Sequence, residues 1–255
     1  MPKLDRDGVA IHYEVRGEGP VLLLTHGYSA TRGMWDGQVE ALTKSFKLIT
    51  WDMRGHGQSD YPDDLTQYSE ALTVGDMAAL LDAVGAQNAV IGGLSLGGYM
   101  SLAFHRAHPE RTRALLIIDT GPGYKNDEAR AGWNATAIKR AEKLEAEGLP
   151  SGGSAEVRQA RHRDATGLAR AARGMLTQHD ARVIESLPHI KVPSLVVAGA
   201  DDTPFLAASS YMAAKIPGAK LVTIPNAGHA ANIDQPEAFN AALLDFLEDA
   251  GLATG

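Results

Sequence analysis

Ile91-Gly92-Gly93-Leu94-Ser95-Leu96-Gly97-Gly98 decides how the rest of this 255-residue chain is read. Ahead of it, Asn88 to Ile91 has the character of a buried strand, and the apolar run continues to Leu94. Behind it, from Tyr99 to Ala107, apolar residues recur at helical spacing. Between the two lies Gly-x-Ser-x-Gly. A serine on a sharp strand-to-helix turn is held in a strained backbone conformation, and its neighbours two places away must be small for the chain to turn that tightly. Gly93 and Gly97 meet that need, so Ser95 Oγ is expected to project above the sheet edge as a nucleophile. The backbone N–H of Leu96, at the helix N-terminus, then faces whatever Ser95 attacks. The competing reading is a glycine-rich turn in which Ser95 only caps a helix; the strand–turn–helix context argues against it.

Outward from this stretch the same alternation repeats. Asp5 to Gly8 is a turn signal before a strand-like Val9 to Val15, and Arg16 to Pro20 turns the chain again, so the start reads as a short antiparallel meander. Val21 to Thr25 is a continuous apolar run, suited to a strand buried on both faces. A helical pattern runs from about Gly33 to Lys44, and Phe46 to Trp51 is the next strand. Leu72 to Val84 is an amphipathic helix with Val74, Met77, Leu80, Leu81 and Val84 on one stripe, ended by Gly85. Ala114 to Ile118 is a further buried strand, stopping at Asp119.

From Gly121 to Ser186 strand signals vanish and Ala-, Glu- and Arg-rich helical stretches take over, broken at Gly148 to Gly153. This reads as a helical insertion of three or four helices. The strand pattern resumes at Val192 to Gly199. A helix follows over Leu206 to Lys215, then a last strand over Ala219 to Ile224 and a closing helix over Pro236 to Leu247. Strands alternating with helices predict an α/β fold, a mostly parallel, doubly wound sheet with a helical lid inserted. The core is expected over 1–120 and 187–255, and the cap over 121–186. Sites in such sheets lie at the carboxyl ends of the strands. Six polar groups fall there: His26, Asp52, Ser95, Asp119, Asp202 and His229.

Composition narrows the function. The chain is 44% hydrophobic, enough for one sizeable core. A net charge of −7 argues against nucleic acid and an anionic membrane surface as partners. The arginines at 158, 161, 163, 170 and 173 are mixed with acidic and apolar residues and read as a solvated helix face. With no cysteine there is no disulfide, no Cys nucleophile and no Cys-ligated metal. The first residues lack the apolar core of a signal peptide, and no apolar run approaches the roughly 20 residues that span a bilayer. A soluble cytoplasmic protein is expected. No H-E-x-x-H or calcium-loop spacing is present, and Gly93, Gly97 and Gly98 lack the G-x-G-x-x-G order of a dinucleotide site, so no metal and no cofactor are expected.

His26-Gly27-Tyr28, Asp52-Met53-Arg54-Gly55-His56-Gly57-Gln58-Ser59, Gly93-Leu94-Ser95-Leu96-Gly97-Gly98, Gly199-Ala200-Asp201-Asp202 and Gly228-His229 occur in this order. With them the chain resembles the α/β-hydrolase fold superfamily over nearly its whole length. It looks like the small esterase, lactonase and carbon–carbon-bond hydrolase branch. The resemblance implies Ser95 as nucleophile, His229 as its base and Asp202 as the acid that holds the imidazole. Asp201 and Asp119 remain alternatives for the acid. It also implies an oxyanion hole of two backbone N–H groups, from Tyr28 and Leu96. His26 and His56 are expected to brace loops, as are Asp52 and Arg54.

The expected activity is hydrolysis of a carboxylic ester or lactone through an acyl-enzyme on Ser95. Cleavage of a carbon–carbon bond or an enol-lactone with the same residues is the rival, and a hydrolase-like ligand receptor with little turnover is the non-enzymatic one. Tyr28, Trp133, Leu168, Met175 and Leu176 are candidate substrate contacts. The insertion offers no polar anchor at this level, so the expected acyl group is short and mostly apolar.

Overall fold

The computed structural model describes residues 2–253. Its strands are β1 (Lys3–Arg6), β2 (Val9–Arg16), β3 (Val21–Thr25), β4 (Lys47–Trp51), β5 (Ala89–Leu94), β6 (Thr112–Ile118), β7 (Ser194–Gly199) and β8 (Lys220–Ile224). They form one sheet in the order β1-β2-β4-β3-β5-β6-β7-β8. β2 is antiparallel to both β1 and β4, and every other pairing is parallel. The helices are α1 (Asp36–Leu42), α2 (Glu70–Ala83), α3 (Leu96–Ala107), α4 (Asp127–Glu147), α5 (Ala155–Gln159), α6 (Ala165–Ala171), α7 (Arg182–Ser186), α8 (Thr203–Lys215), α9 (Ala231–Asp234) and α10 (Pro236–Asp249).

The continuous apolar runs are explained by burial on both faces. Every residue of β3, β5 and β7 is buried. Successive side chains alternate between faces. Leu22, Leu24, Leu48, Leu116 and Val197 pack with Leu42 of α1 and with Phe239, Leu243 and Leu247 of α10. Leu23, Ile49, Ile91, Leu115 and Ile117 pack with Met77, Leu80 and Leu81 of α2 and with Met100 and Phe104 of α3. The sheet is doubly wound, and its parallel strands end on one edge.

Two local features depart from the sequence pattern. The helix expected from about Gly33 to Lys44 is a tight turn over Arg32–Trp35 followed by α1. Met34 and Trp35 of this turn, adjacent in sequence, are both buried in the core. α9 is too short to leave a period in the sequence. The segment between β6 and β7 holds α4 to α7, with α6 running into a wider π-type turn over Ala172–Leu176. Among the described residues no helix is long and apolar enough to cross a membrane.

The loop after β4 is fixed by a buried ion pair. Arg54 Nε and Nη2 donate to the two carboxylate oxygens of Asp76 on α2, at 2.7 and 2.8 Å, and Nη1 donates to Gln67 at 2.6 Å. Both charges are almost wholly buried. Removing one partner would leave the other uncompensated in a medium that solvates it poorly. Asp76→Ala is therefore expected to cost about 3 kcal/mol of stability, read as a lower urea midpoint. A midpoint equal to that of the unmodified chain would show that the pair contributes nothing net.

Candidate active site

The turn between β5 and α3 places Ser95 at φ 55°, ψ −117°, a left-handed backbone conformation for a residue with a Cβ. Neighbouring contacts hold it there. Ser95 N–H donates to Ile118 O at 2.9 Å, and its carbonyl accepts from Thr120 Oγ1 at 2.7 Å and from Tyr99 N–H at 3.0 Å. The flanking glycines are needed for approach. A methyl group on Gly97 would collide with the carbonyl oxygens of Thr25 and His26, and one on Gly93 would collide with the Gly97 backbone. The first turn of α3 thus sits directly on the end of β3.

The same crossing brings the His26–Tyr28 loop against the serine. A Cβ on Gly27 would lie 3.4 Å from Ser95 Cβ. Leu96 opens α3, where N–H groups have no intrahelical acceptor. Among the described residues neither the Leu96 nor the Tyr28 N–H has a hydrogen-bond acceptor. The loop is locked from behind by His26, whose Nε2 accepts from Met53 N–H at 3.0 Å while Nδ1 donates to Gly27 O at 2.7 Å. Burial holds the His26 pKa down at about 4, so the neutral ring keeps both bonds. His56 and His162 continue the brace. His162 accepts from Gly57 N–H at 3.2 Å and bonds Ser29 O at 3.0 Å, tying the segment after α5 to this loop.

Across the edge, the turns after β7 and β8 are packed together. A methyl group on Gly199 would collide with the carbonyls of Ala227 and Gly228, and Asp201 N–H donates to Ala227 O at 2.9 Å. This contact brings Asp202 to His229, with Nδ1 and Oδ2 2.8 Å apart. The histidine loop is anchored further by Gly228 N–H on Asp234 at 2.9 Å and by Asn232, which donates to Met34 O at 2.7 Å. Burial pulls the His229 pKa down. The hydrogen bond and charge of Asp202, with the charges of Glu156 and Asp119, outweigh it and leave the pKa above the ordinary imidazole value.

Of the three carboxylates considered, Asp202 is the one bonded to His229. Asp201 is exposed beside it. Asp119 is fully buried, and its Oδ1 accepts from Gly199 N–H at 2.7 Å. Burial, with the nearby Asp202 charge, raises the Asp119 pKa to about 8 against the pull of the Gly199 bond and His229.

Ser95 and Leu96 line a cavity of about 130 Å³ together with Tyr99, Trp133, Leu176, Gln178 and Phe205. The Phe205 ring, on this wall, lies 5.0 Å from the His229 ring. Of the expected contacts, Trp133 and Leu176 are on the wall. Tyr28, Leu168 and Met175 are not: all three are buried in the core beneath it. The Tyr28 hydroxyl is spent on Leu168 O at 2.8 Å, and Arg140 stands 5.5 Å from its ring centroid. Sequence reasoning missed Thr120, Phe205, Asn232 and Gln178. Each acts through a fold-made contact, and no sequence motif surrounds any of them. Among the described residues no group of three or more His, Asp or Glu could hold a metal ion.

Comparison with known proteins places this geometry in context. Residues 21–242 match the family model described as the alpha/beta hydrolase family. The 3-oxoadipate enol-lactonase 1 of Acinetobacter baylyi is 28% identical, with 92% of each chain covered. Among solved structures, the enol-lactonase from Burkholderia xenovorans LB400 is 27% identical with a TM-score of 0.80, covering 97% of this chain and all of that one. The thermophilic esterase from Thermogutta terrifontis is 28% identical with a TM-score of 0.85, covering 98% of this chain and 99% of that one.

Proposed function

This chain belongs to the alpha/beta hydrolase family, and on that premise we propose that it is a serine hydrolase cleaving a carboxylic ester or lactone through an acyl-enzyme on Ser95. The observation that carries this reading is the 2.8 Å Asp202–His229 pair, whose imidazole packs against Phe205 in the wall of the cavity that Ser95 lines. Nδ1–H donates to Asp202, which leaves Nε2 as the base for the Ser95 hydroxyl. Ser95 Oγ attacks the carbonyl carbon, and the Leu96 and Tyr28 N–H groups receive the oxyanion. His229 hands its proton to the leaving alkoxide. Water, deprotonated in turn by His229, then releases the acid and restores Ser95. The enol-lactonase and esterase relatives support the same bond class, and a lactone is the cyclic case of it.

Residues 121–186 are the lid in this reading, since α4 and the turn after α6 contribute Trp133 and Leu176 to the cavity wall. The substrate is a small molecule handled in the cytoplasm, without nucleic acid or membrane. The cavity volume favours a short acyl group. The test is hydrolysis of p-nitrophenyl acetate, butyrate, octanoate and dodecanoate by the unmodified chain and Ser95→Ala, with intact mass after an organophosphate to find the adduct. Turnover and an adduct that both require Ser95 support the reading; ester turnover that survives the substitution overturns it.

The pH profile carries a second expectation. His229 must be neutral to accept the serine proton, and its pKa lies above the ordinary imidazole value. kcat/KM is expected to fall as pH drops, with a midpoint on the alkaline side of an ordinary imidazole. Because the Glu156 charge helps to raise that pKa, Glu156→Gln should move the midpoint to lower pH. A midpoint on the acid side of an ordinary imidazole in the unmodified chain would contradict the assignment of His229.

A further inference from the structure

Apart from the Ser95 hydroxyl and the exposed Tyr124, the wall of the cavity is apolar or internally satisfied except at one residue. Tyr99 OH donates to Glu70 at 2.8 Å, Trp133 Nε1 to Leu176 O at 2.8 Å, and Thr120 Oγ1 to Ser95 O at 2.7 Å. No lysine, arginine, aspartate or glutamate lines it. Gln178 also lines it, and is only 9% exposed. Its Oε1 is sealed off with no hydrogen-bond partner, and its Nε2, which also has no partner among the described residues, is the end of the carboxamide left accessible.

An unpaired buried amide costs stability, so its placement matters. Here the placement is enforced. Asn134 on α4 donates to Gln178 O at 2.7 Å and accepts from Gln178 N–H at 2.8 Å, using its side chain as a second peptide. The adjacent Trp133 grips Leu176 O. These three bonds fix the main chain of 176–178 and leave the Gln178 carboxamide to the cavity side. Gly123, at φ 91°, makes room for it: a Cβ there would lie 2.9 Å from Oε1. Polar groups held ready in an apolar site are what confer ligand orientation and choice.

We propose that Gln178 is a specificity-determining residue, whose carboxamide binds a neutral oxygen substituent (ether, keto or hydroxyl) on the substrate's acyl group. This deepens the ester-hydrolase reading and rests on it. The ligand is neutral because no cation on the wall offsets a second carboxylate, and burying an unpaired charge there is costly. An ether, keto or hydroxyl oxygen accepts from the Nε2 amide N–H. The short, mostly apolar acyl group expected from the sequence gains one polar point in this proposal.

The experiment uses isosteric pairs: p-nitrophenyl methoxyacetate against butyrate, and 4-oxopentanoate against 4-methylpentanoate, with the glutarate half-ester as the charged comparator. The full chain should prefer at least one oxygen-bearing ester over its isostere by about tenfold in kcat/KM, and over the glutarate ester. In Gln178→Met, which keeps the volume, that ratio should fall to about one. An unchanged ratio, an equal loss on both members of each pair, or a preference for glutarate would overturn the proposal. Binding is read separately by titrating Ser95→Ala with methoxyacetamide and butanamide, and 4-oxopentanamide and 4-methylpentanamide. Tighter binding of an oxygen-bearing amide, lost in Ser95→Ala/Gln178→Met, supports the subsite even if ester turnover proves independent of Ser95. Equal affinities within both pairs overturn it.

Discussion

Ser95→Ala is expected to lower kcat/KM on a short-chain ester by about four to six orders of magnitude and to leave the fold in place. The two halves of this expectation come from different parts of the structure. The fold survives because the serine is held by main-chain bonds, from its N–H to Ile118 and from Thr120 and Tyr99 to its carbonyl, and alanine keeps all three. Alanine carries the same Cβ at φ 55°, so the strain of the turn does not grow. Activity falls because the substitution removes the one atom that forms the covalent bond. Some rate above water should remain, since the Leu96 and Tyr28 N–H groups still favour a tetrahedral oxyanion. The check is a single-turnover and steady-state comparison on the best ester, with circular dichroism and thermal midpoint alongside. A loss below tenfold with an unchanged midpoint would remove Ser95 from the reaction.

What the sequence shows of this site follows the physics of each part. The central strands are legible because burial on both faces demands unbroken apolar runs, as in Val21 to Thr25 and Ala114 to Ile118. The serine turn is legible because close approach forces glycine at 93 and 97. The partners of the serine are less so. Asp119, Asp201 and Asp202 are chemically alike, and only the packing of Gly199 against the Ala227–Gly228 turn selects which one meets His229. Tyr28 looks like a pocket residue from its place beside His26 and Gly27, yet its hydroxyl is drawn to a helix carbonyl 140 residues away. Gln178 carries no local signal at all. Its exposure to the cavity depends on Asn134, on α4, and on a glycine at 123.

Asp202→Asn should cost about 10,000-fold in kcat/KM, and Asp119→Asn less than about tenfold. Both residues sit near His229, so proximity alone does not separate them. Charge and hydrogen bonding do. Asp202 meets Nδ1 directly and, as an anion, stabilises the imidazolium that forms when the serine proton moves. Asparagine there either accepts from Nδ1–H without offsetting that charge, or donates to Nδ1 and turns the ring to the wrong tautomer. It should also release the upward hold on the His229 pKa, so whatever activity remains persists to lower pH. Burial holds the Asp119 carboxyl above the ordinary carboxylate range, and its Oδ1 accepts from Gly199 N–H. Asparagine keeps the shape and an oxygen for that bond, so the turn that carries Asp202 stays put. The two variants are therefore compared side by side at pH 7. Equal losses from the two substitutions would reassign the acid to Asp119. A large loss confined to Asp202→Asn is the outcome the geometry requires.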